Sequence, residues 1–349
     1  MITQEQVLQA ATDSSPNNPF AISYLQLCQV SYLLPISQIP AAVAALPPLD
    51  SSGQWRCSWG PATNADQSNL AFVASYFGVT GAPLLAVVTL RGTDLSVADG
   101  WGIVQQVWED LDVTSAVPLP WASGGSERIA NGTLDGLNDI QALRSVRQSL
   151  IDFLSQFLAA PANNKPLLVV TGHSLGGCLV SVVAPWLQWA LAQRQVTVPI
   201  VPCSFAGPTA GNASFATFFN KSFNYSMRFH NSLDAVPHAW ANLNGMERLY
   251  DTNGLRTPDW AYLAMLGFKE AMRIAGVSYS QPLPDGRIAG KFNQGLDWVG
   301  QVAYQHHTTT YMQLLGGTSI TAQSTQAPPA LIRNTNGQLQ DRLEGVAAE

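Results

Sequence analysis

The sequence predicts an α/β fold, with a mostly parallel central sheet covered by helices on both faces. Three observations carry this. Leu167–Val170 is an unbroken apolar run ending in Thr171, as expected of a strand buried on both faces. Directly after it, from Gly177, apolar residues recur at helical spacing through Leu179, Val182, Val183, Trp186, Leu187, Ala190 and Leu191. Strand-like and helical patterns then alternate along most of the chain, which favours parallel crossover connections.

The elements follow in order. Asn18 to Leu34 predicts a helix, broken by Pro35, and Pro40, Pro47 and Pro48 mark a connector. Leu70–Tyr76 and Pro83–Leu90 read as strands. Gly136 to Ala159 predicts one long amphipathic helix with Leu137, Ile140, Leu143, Val146, Leu150, Leu154 and Phe157 on one face. Ile200–Ser204 predicts a strand, although Pro202 argues against a central place in the sheet. A helix at Ala213–Asn220, a strand at Tyr225–Phe229 and a helix at Trp260–Ile274 complete the pattern. Residues 1–318 are therefore expected to form one domain, opened by an N-terminal helical segment, with 319–349 as a loose polar tail. No internal repeat is visible.

Composition narrows the function classes. The chain has 349 residues, of which 46% are hydrophobic and 11% charged, enough for a large core. A net charge of −6 with only 17 Lys and Arg argues against a nucleic-acid partner, which would need a basic stripe. No uninterrupted apolar run reaches the ~18 residues of a membrane span. The N-terminus, Met1-Ile-Thr-Gln-Glu-Gln6, lacks the basic and apolar regions of a signal peptide, and the compartment stays open. The four cysteines have no metal-binding spacing. Cys178 and Cys203 lie in apolar surroundings as buried small hydrophobes, and a Cys28–Cys57 bridge is left open. Sequons at Asn131, Asn212, Asn220 and Asn224 carry meaning only in a eukaryotic secretory setting.

The chemistry centres on Gly172-His-Ser-Leu-Gly-Gly177. Glycines two residues before and two after Ser174 suit a sharp strand-to-helix turn that cannot accommodate flanking side chains. Such a turn lifts the serine above the sheet, at the positive end of the following helix. A serine nucleophile needs a base, and the base an orienting carboxylate, in the chain order Ser, Asp, His. Five histidines limit the search. His173 adjoins the serine and diverges from it; His230 precedes any suitable acid; His238 is too close in sequence to Asp234. His306 and His307 remain, and the residues leave both open. Asp234, just past the Tyr225–Phe229 strand, is the acid candidate, with a turn-capping aspartate as the alternative.

Several blocks together resemble the class 3 lipase family, the fungal-type triacylglycerol lipases and their bacterial and plant relatives. Val88-Thr-Leu-Arg-Gly-Thr-Asp94 resembles the family strand that ends in R-G-[ST]. Gly172–Gly177 matches its nucleophile elbow. Phe205-Ala-Gly-Pro-Thr-Ala-Gly-Asn212 resembles F-G-x-P-x-x-G-N, with Ala206 and Gly207 in swapped order. Asn231-Ser-Leu-Asp-Ala-Val-Pro237 resembles its N-x-x-D-x-V-P acid loop, and His306 with Tyr311 its terminal H-x-x-x-x-Y. These blocks run in family order over about 85–315, while the first eighty residues match only loosely.

The resemblance implies an α/β-hydrolase fold with a lid, Ser174 as nucleophile, Asp234 as acid and His306 as base, with His307 the alternative base. It implies an oxyanion hole from Thr93 and the backbone N–H of Leu175. It also implies that Asp110 orients the oxyanion hydroxyl, against the alternative of a solvated helix-end charge. The lid falls at about 94–110, where Val97, Trp101, Val104 and Trp108 form an apolar stripe; ordinary core packing is the alternative. Two departures stand out. Ile129–Thr133 replaces the family's V-H-x-G-F block, and about 241–300 carries a helical insertion that either walls the acyl site or packs on the surface. The implied activity is carboxylester hydrolysis, as a triacylglycerol lipase, a phospholipase A1 or a short-chain esterase, on a lipid or other ester with no cofactor or metal. A catalytically silent lipid- or protein-binding relative is the rival from another class.

Overall fold

The computed structural model describes residues 4–320 apart from 14, 16, 66, 93–111, 123 and 161–164. Eleven strands are present among these residues: β1 (Gln54–Thr63), β2 (Leu70–Phe77), β3 (Pro83–Leu90), β4 (Ala116–Pro118), β5 (Arg128–Ala130), β6 (Arg144–Ser145), β7 (Gln148–Ser149), β8 (Leu167–His173), β9 (Ile200–Phe205), β10 (Met227–Asn231) and β11 (Gly286–Ile288). Seven of them form the central sheet in the order β1-β2-β3-β8-β9-β10-β11. β1, β2 and β3 pair antiparallel, and every later neighbour pairs parallel. With helices on both faces, this is the α/β-hydrolase architecture.

Strand alternation divides the core. On β3 and β8, Ala86, Val88, Leu90, Leu168 and Val170 face a cluster that includes Leu137, Leu154 and Leu187 from the helices Asn131–Ala142, Leu150–Ala159 and Leu175–Gln193. Leu85, Val87, Leu167 and Val169 face the opposite cluster, with Tyr24, Leu25 and Tyr311 from the helices Pro19–Ser31 and Thr308–Leu314. Side chains on successive residues point to opposite faces, so a strand covered on both is apolar along most of its length. The Pro19–Ser31 helix starts where its sequence says it should: Asn18 caps it by accepting from the Phe20 N–H at 2.9 Å, and Pro19 occupies its first position.

Pro202 sits inside β9, opposite Val170 of β8. Pairing with β10 begins one residue later, at Cys203 with Met227, so β9 has a single neighbour where its backbone lacks a donor. The expected single helix over 136–159 is instead two, Asn131–Ala142 and Leu150–Ala159, separated by the β6–β7 hairpin. Val146, placed by periodicity on the buried face, is 98% exposed, and Val146 and Arg147 both have positive φ. The local reason is a new start signal. Ser149 accepts from the Asp152 N–H at 3.1 Å and caps the second helix, after a polar run that favours a turn.

All four cysteines are free thiols, and Cys28, Cys178 and Cys203 are buried, so the Cys28–Cys57 bridge is absent. Burial pushes the thiols of Cys28 and Cys178 up to about 12. By length and composition alone, the helix Leu175–Gln193 is long and apolar enough to cross a membrane. With 72% of that span buried within the protein, it is the central core helix. The 241–300 stretch contains the expected helix, at Asp259–Ala275, and also contributes strand β11 to the sheet edge beside β10. That helix buries Ala261, Met265 and Met272 against the core, and it exposes Trp260, Tyr262, Leu263 and Leu266.

Candidate active site

Ser174 follows the last residue of β8 and caps the Leu175–Gln193 helix at φ 60° and ψ −128°, a left-handed conformation unusual for a residue with a side chain. The surrounding glycines explain how the chain tolerates it. A Cβ at Gly172 would lie 2.4 Å from the Gly176 backbone, and one at Gly176 would lie 2.4 Å from the Leu90 carbonyl. At Gly177 it would meet the Phe205 carbonyl at 2.5 Å. Gly92 is under the same constraint from the neighbouring strand: a Cβ there would sit 2.5 Å from the His173 carbonyl and 3.2 Å from Ser174 Cβ. The Ala206–Gly207 order also becomes intelligible. Ala206 takes the left-handed φ of 54°, while Gly207 is the residue whose Cβ would strike Gly177, at 2.7 Å.

Three distant segments meet at this turn. His306, the last residue of the helix Trp298–His306, has Nε2 2.8 Å from Ser174 Oγ. Its Nδ1 lies 2.9 Å and 3.1 Å from the two carboxyl oxygens of Asp234. All three side chains are buried, with Ser174 and Asp234 at 0% and His306 at 1% exposure. The Asp234 carboxyl also accepts from the Tyr311 hydroxyl at 2.7 Å and the Val236 N–H at 3.0 Å. Buried polar atoms need such partners, and three donors converge here on one carboxyl. Burial, and then the Asp234 carboxylate, hold the Tyr311 phenol well above its ordinary value, so it remains an O–H donor. Its oxygen in turn accepts from the Asn231 N–H at 2.9 Å.

Asn231 extends the network. Its side-chain amide donates to the Gln305 carbonyl at 2.9 Å and to the Gln305 side-chain oxygen at 2.7 Å. Its own oxygen accepts from the Leu233 N–H at 3.0 Å and shapes the turn that presents Asp234. Tyr311 and Asn231 were visible in the sequence only as members of spaced blocks; their bonding explains the spacing. Five residues carry the chain from His306 into the next helix and bring a hydroxyl back to the acid.

Of the two open bases, His306 meets both Ser174 and Asp234. His307 turns away and caps the helix Thr308–Leu314, its Nδ1 accepting from the Thr309 N–H at 3.1 Å. Leu175 opens the helix behind the serine, where a first-turn N–H has no intrahelical acceptor. Thr93, Asp110 and the 94–110 lid segment lie outside the described residues. Among the described residues, no group of three or more His, Cys, Asp or Glu side chains is arranged to hold a metal ion. Chemically, the arrangement offers a hydroxyl bonded to an imidazole whose other nitrogen is held by a buried carboxylate, the layout of acyl-transfer sites.

Comparison with known proteins agrees in kind. Residues 87–243, a little under half of the chain, match the family described as Lipase (class 3). A 69-residue stretch is 36% identical to Lipase ZK262.3 of Caenorhabditis elegans and covers 20% of this chain. It spans only 19% of that relative's length. The crystal structure of M37 lipase superimposes with a TM-score of 0.70 at 26% identity, covering 90% of this chain and 92% of the other.

Proposed function

We propose, from the match of residues 87–243 to the class 3 lipase family and the likeness to M37 lipase, that the chain is a serine carboxylester hydrolase acting as a triacylglycerol lipase. The observation that carries the reading is the unbroken line from Ser174 Oγ to His306 Nε2 at 2.8 Å and from His306 Nδ1 to Asp234 at 2.9 Å.

In the proposed reaction, Ser174 Oγ attacks the ester carbonyl carbon while His306 Nε2 takes the hydroxyl proton. Asp234 holds the imidazole in the tautomer with its proton on Nδ1 and stabilises the cation that forms. The carbonyl oxygen becomes an oxyanion, received by the Leu175 N–H and, by resemblance, by Thr93; one such donor contributes about 3 kcal/mol at the transition state. Collapse breaks the bond to the alkoxy oxygen, which leaves as the alcohol with the proton from His306. Water then attacks the acyl-enzyme, losing a proton to His306, and the acid is released as Ser174 regains its hydroxyl hydrogen.

The test is a chain-length series of p-nitrophenyl esters, butyrate to palmitate, dissolved and emulsified, with wild-type protein and Ser174→Ala. The proposal expects long-chain emulsified ester to be hydrolysed and the alanine variant to lose at least about 10⁴-fold in kcat. Turnover confined to dissolved butyrate makes the protein an esterase. Release of only the sn-1 acyl chain from phospholipid makes it a phospholipase A1. Undiminished hydrolysis by Ser174→Ala removes the mechanism altogether.

A further inference from the structure

The carbonyls that end an α-helix have no partner within it, and the last three of Trp298–His306 are each met by a group from outside the helix. The Tyr304 carbonyl accepts from the Thr310 hydroxyl at 2.5 Å and from the His307 N–H at 3.3 Å. The Gln305 carbonyl accepts from the Asn231 side chain at 2.9 Å. The His306 carbonyl lies 2.9 Å from Nε2 of His173. A carbonyl only accepts, so His173 carries its proton on Nε2. That leaves Nδ1 with a lone pair, 3.4 Å from the Tyr32 hydroxyl. His173 is buried, its ring 4.8 Å from the His306 ring and edge-on to Tyr311 at 5.8 Å.

We propose that His173 is a positioning residue for the acyl-transfer reaction: its Nε2–H holds the carbonyl of His306 and fixes the base against the strand end that carries the nucleophile. The inference rests on the Ser174–His306–Asp234 reading above. Two neighbours on one strand end then address different parts of the same histidine, Ser174 its imidazole and His173 its backbone. Asn231, at the end of β10, makes the matching tie at the preceding carbonyl. The base is thereby registered against both the nucleophile strand and the acid strand.

A neutral donor is the form this role requires. A second imidazolium beside His306 would oppose the proton uptake that the reaction needs. Burial, followed by the charge of His306, holds His173 well below its ordinary value and keeps it neutral.

The test compares His173→Leu, which cannot donate, with His173→Gln, whose side-chain N–H reaches about as far as Nε2. We expect the leucine variant to lose about tenfold to a hundredfold in kcat with KM within about twofold, as displacement of a reacting group by roughly 1 Å does. Glutamine should restore most of that loss. Full kcat in the leucine variant, or equal losses in both, overturns the proposal. Nitrogen-15 NMR of the wild-type imidazoles supplies an arm that needs neither mutation nor turnover: a proton on Nε2 of His173 agrees, and one on Nδ1 contradicts. Ser174→Ala run alongside separates the two readings. An active alanine variant defeats the proposed mechanism, whereas a dead one beside a fully active His173→Leu defeats the positioning role alone.

Discussion

The two strand ends that build the site are made in opposite ways. After β8 Ser174 is held by the absence of side chains: Gly172, Gly176, Gly177 and Gly92 let four stretches of backbone approach within distances that any Cβ would block. After β10 Asp234 is held by an abundance of polar bonds, linked with Asn231, Tyr311, Gln305 and His306 in one buried network. The first end is a steric device and tolerates no added atom. The second is an electrostatic device, in which the loss of a single bond weakens a donor set without collapsing the backbone. The two ends should therefore fail differently when altered.

Asp234→Asn tests the polar end most severely. It preserves shape but removes the charge that orients the His306 tautomer, and kcat is expected to fall about 10⁴-fold with little change in thermal stability. A loss under tenfold would show that the carboxylate does not act through His306. Gly176→Ala tests the steric end. A Cβ 2.4 Å from the Leu90 carbonyl must displace backbone, so stability should drop by about 1–3 kcal/mol and activity with it. Thermal denaturation reads this directly, and an unchanged Tm would mean the turn has slack that the geometry does not show.

Tyr311→Phe is expected to be gentler. It removes one of three donors to Asp234 and should cost about tenfold in kcat, on the scale of a hydrogen bond to a charged group. The smallest effect belongs to His307→Ala. Loss of its bond to the Thr309 N–H should lower stability by about 0.5–2 kcal/mol, as for other helix caps, while kcat falls no more than a few-fold. A collapse of activity there, with Tm unchanged, would return His307 to the reaction.

The same contrast explains what could be read from the sequence. The steric end is local, six residues from Gly172 to Gly177, and backbone crowding forces glycine at fixed offsets, so it is visible as a motif. Strands β3 and β8 are equally plain, because burial on both faces leaves few polar positions, Thr89 and Thr171 among them. The polar end is assembled from residues more than seventy positions apart, such as Asn231 and Gln305, whose bonding no local pattern encodes. His173 could be judged an unlikely base from its neighbour, but its tie to the His306 backbone required the fold. One helix does not form over 136–159, because the helical apolar spacing there continues through a hairpin. There the capping signal of Ser149 and the polar run before it outweighed periodicity.

The proposed function stands or falls on Ser174 as the group that attacks the ester. The most direct measurement is reaction with diethyl p-nitrophenyl phosphate, followed by peptide mass spectrometry and residual-activity assay on the same samples. One phosphoryl adduct per chain is expected, on Ser174, rising in step with the loss of hydrolysis and absent from Ser174→Ala. An inactivated enzyme labelled at another residue, or full activity surviving complete labelling of Ser174, would contradict it.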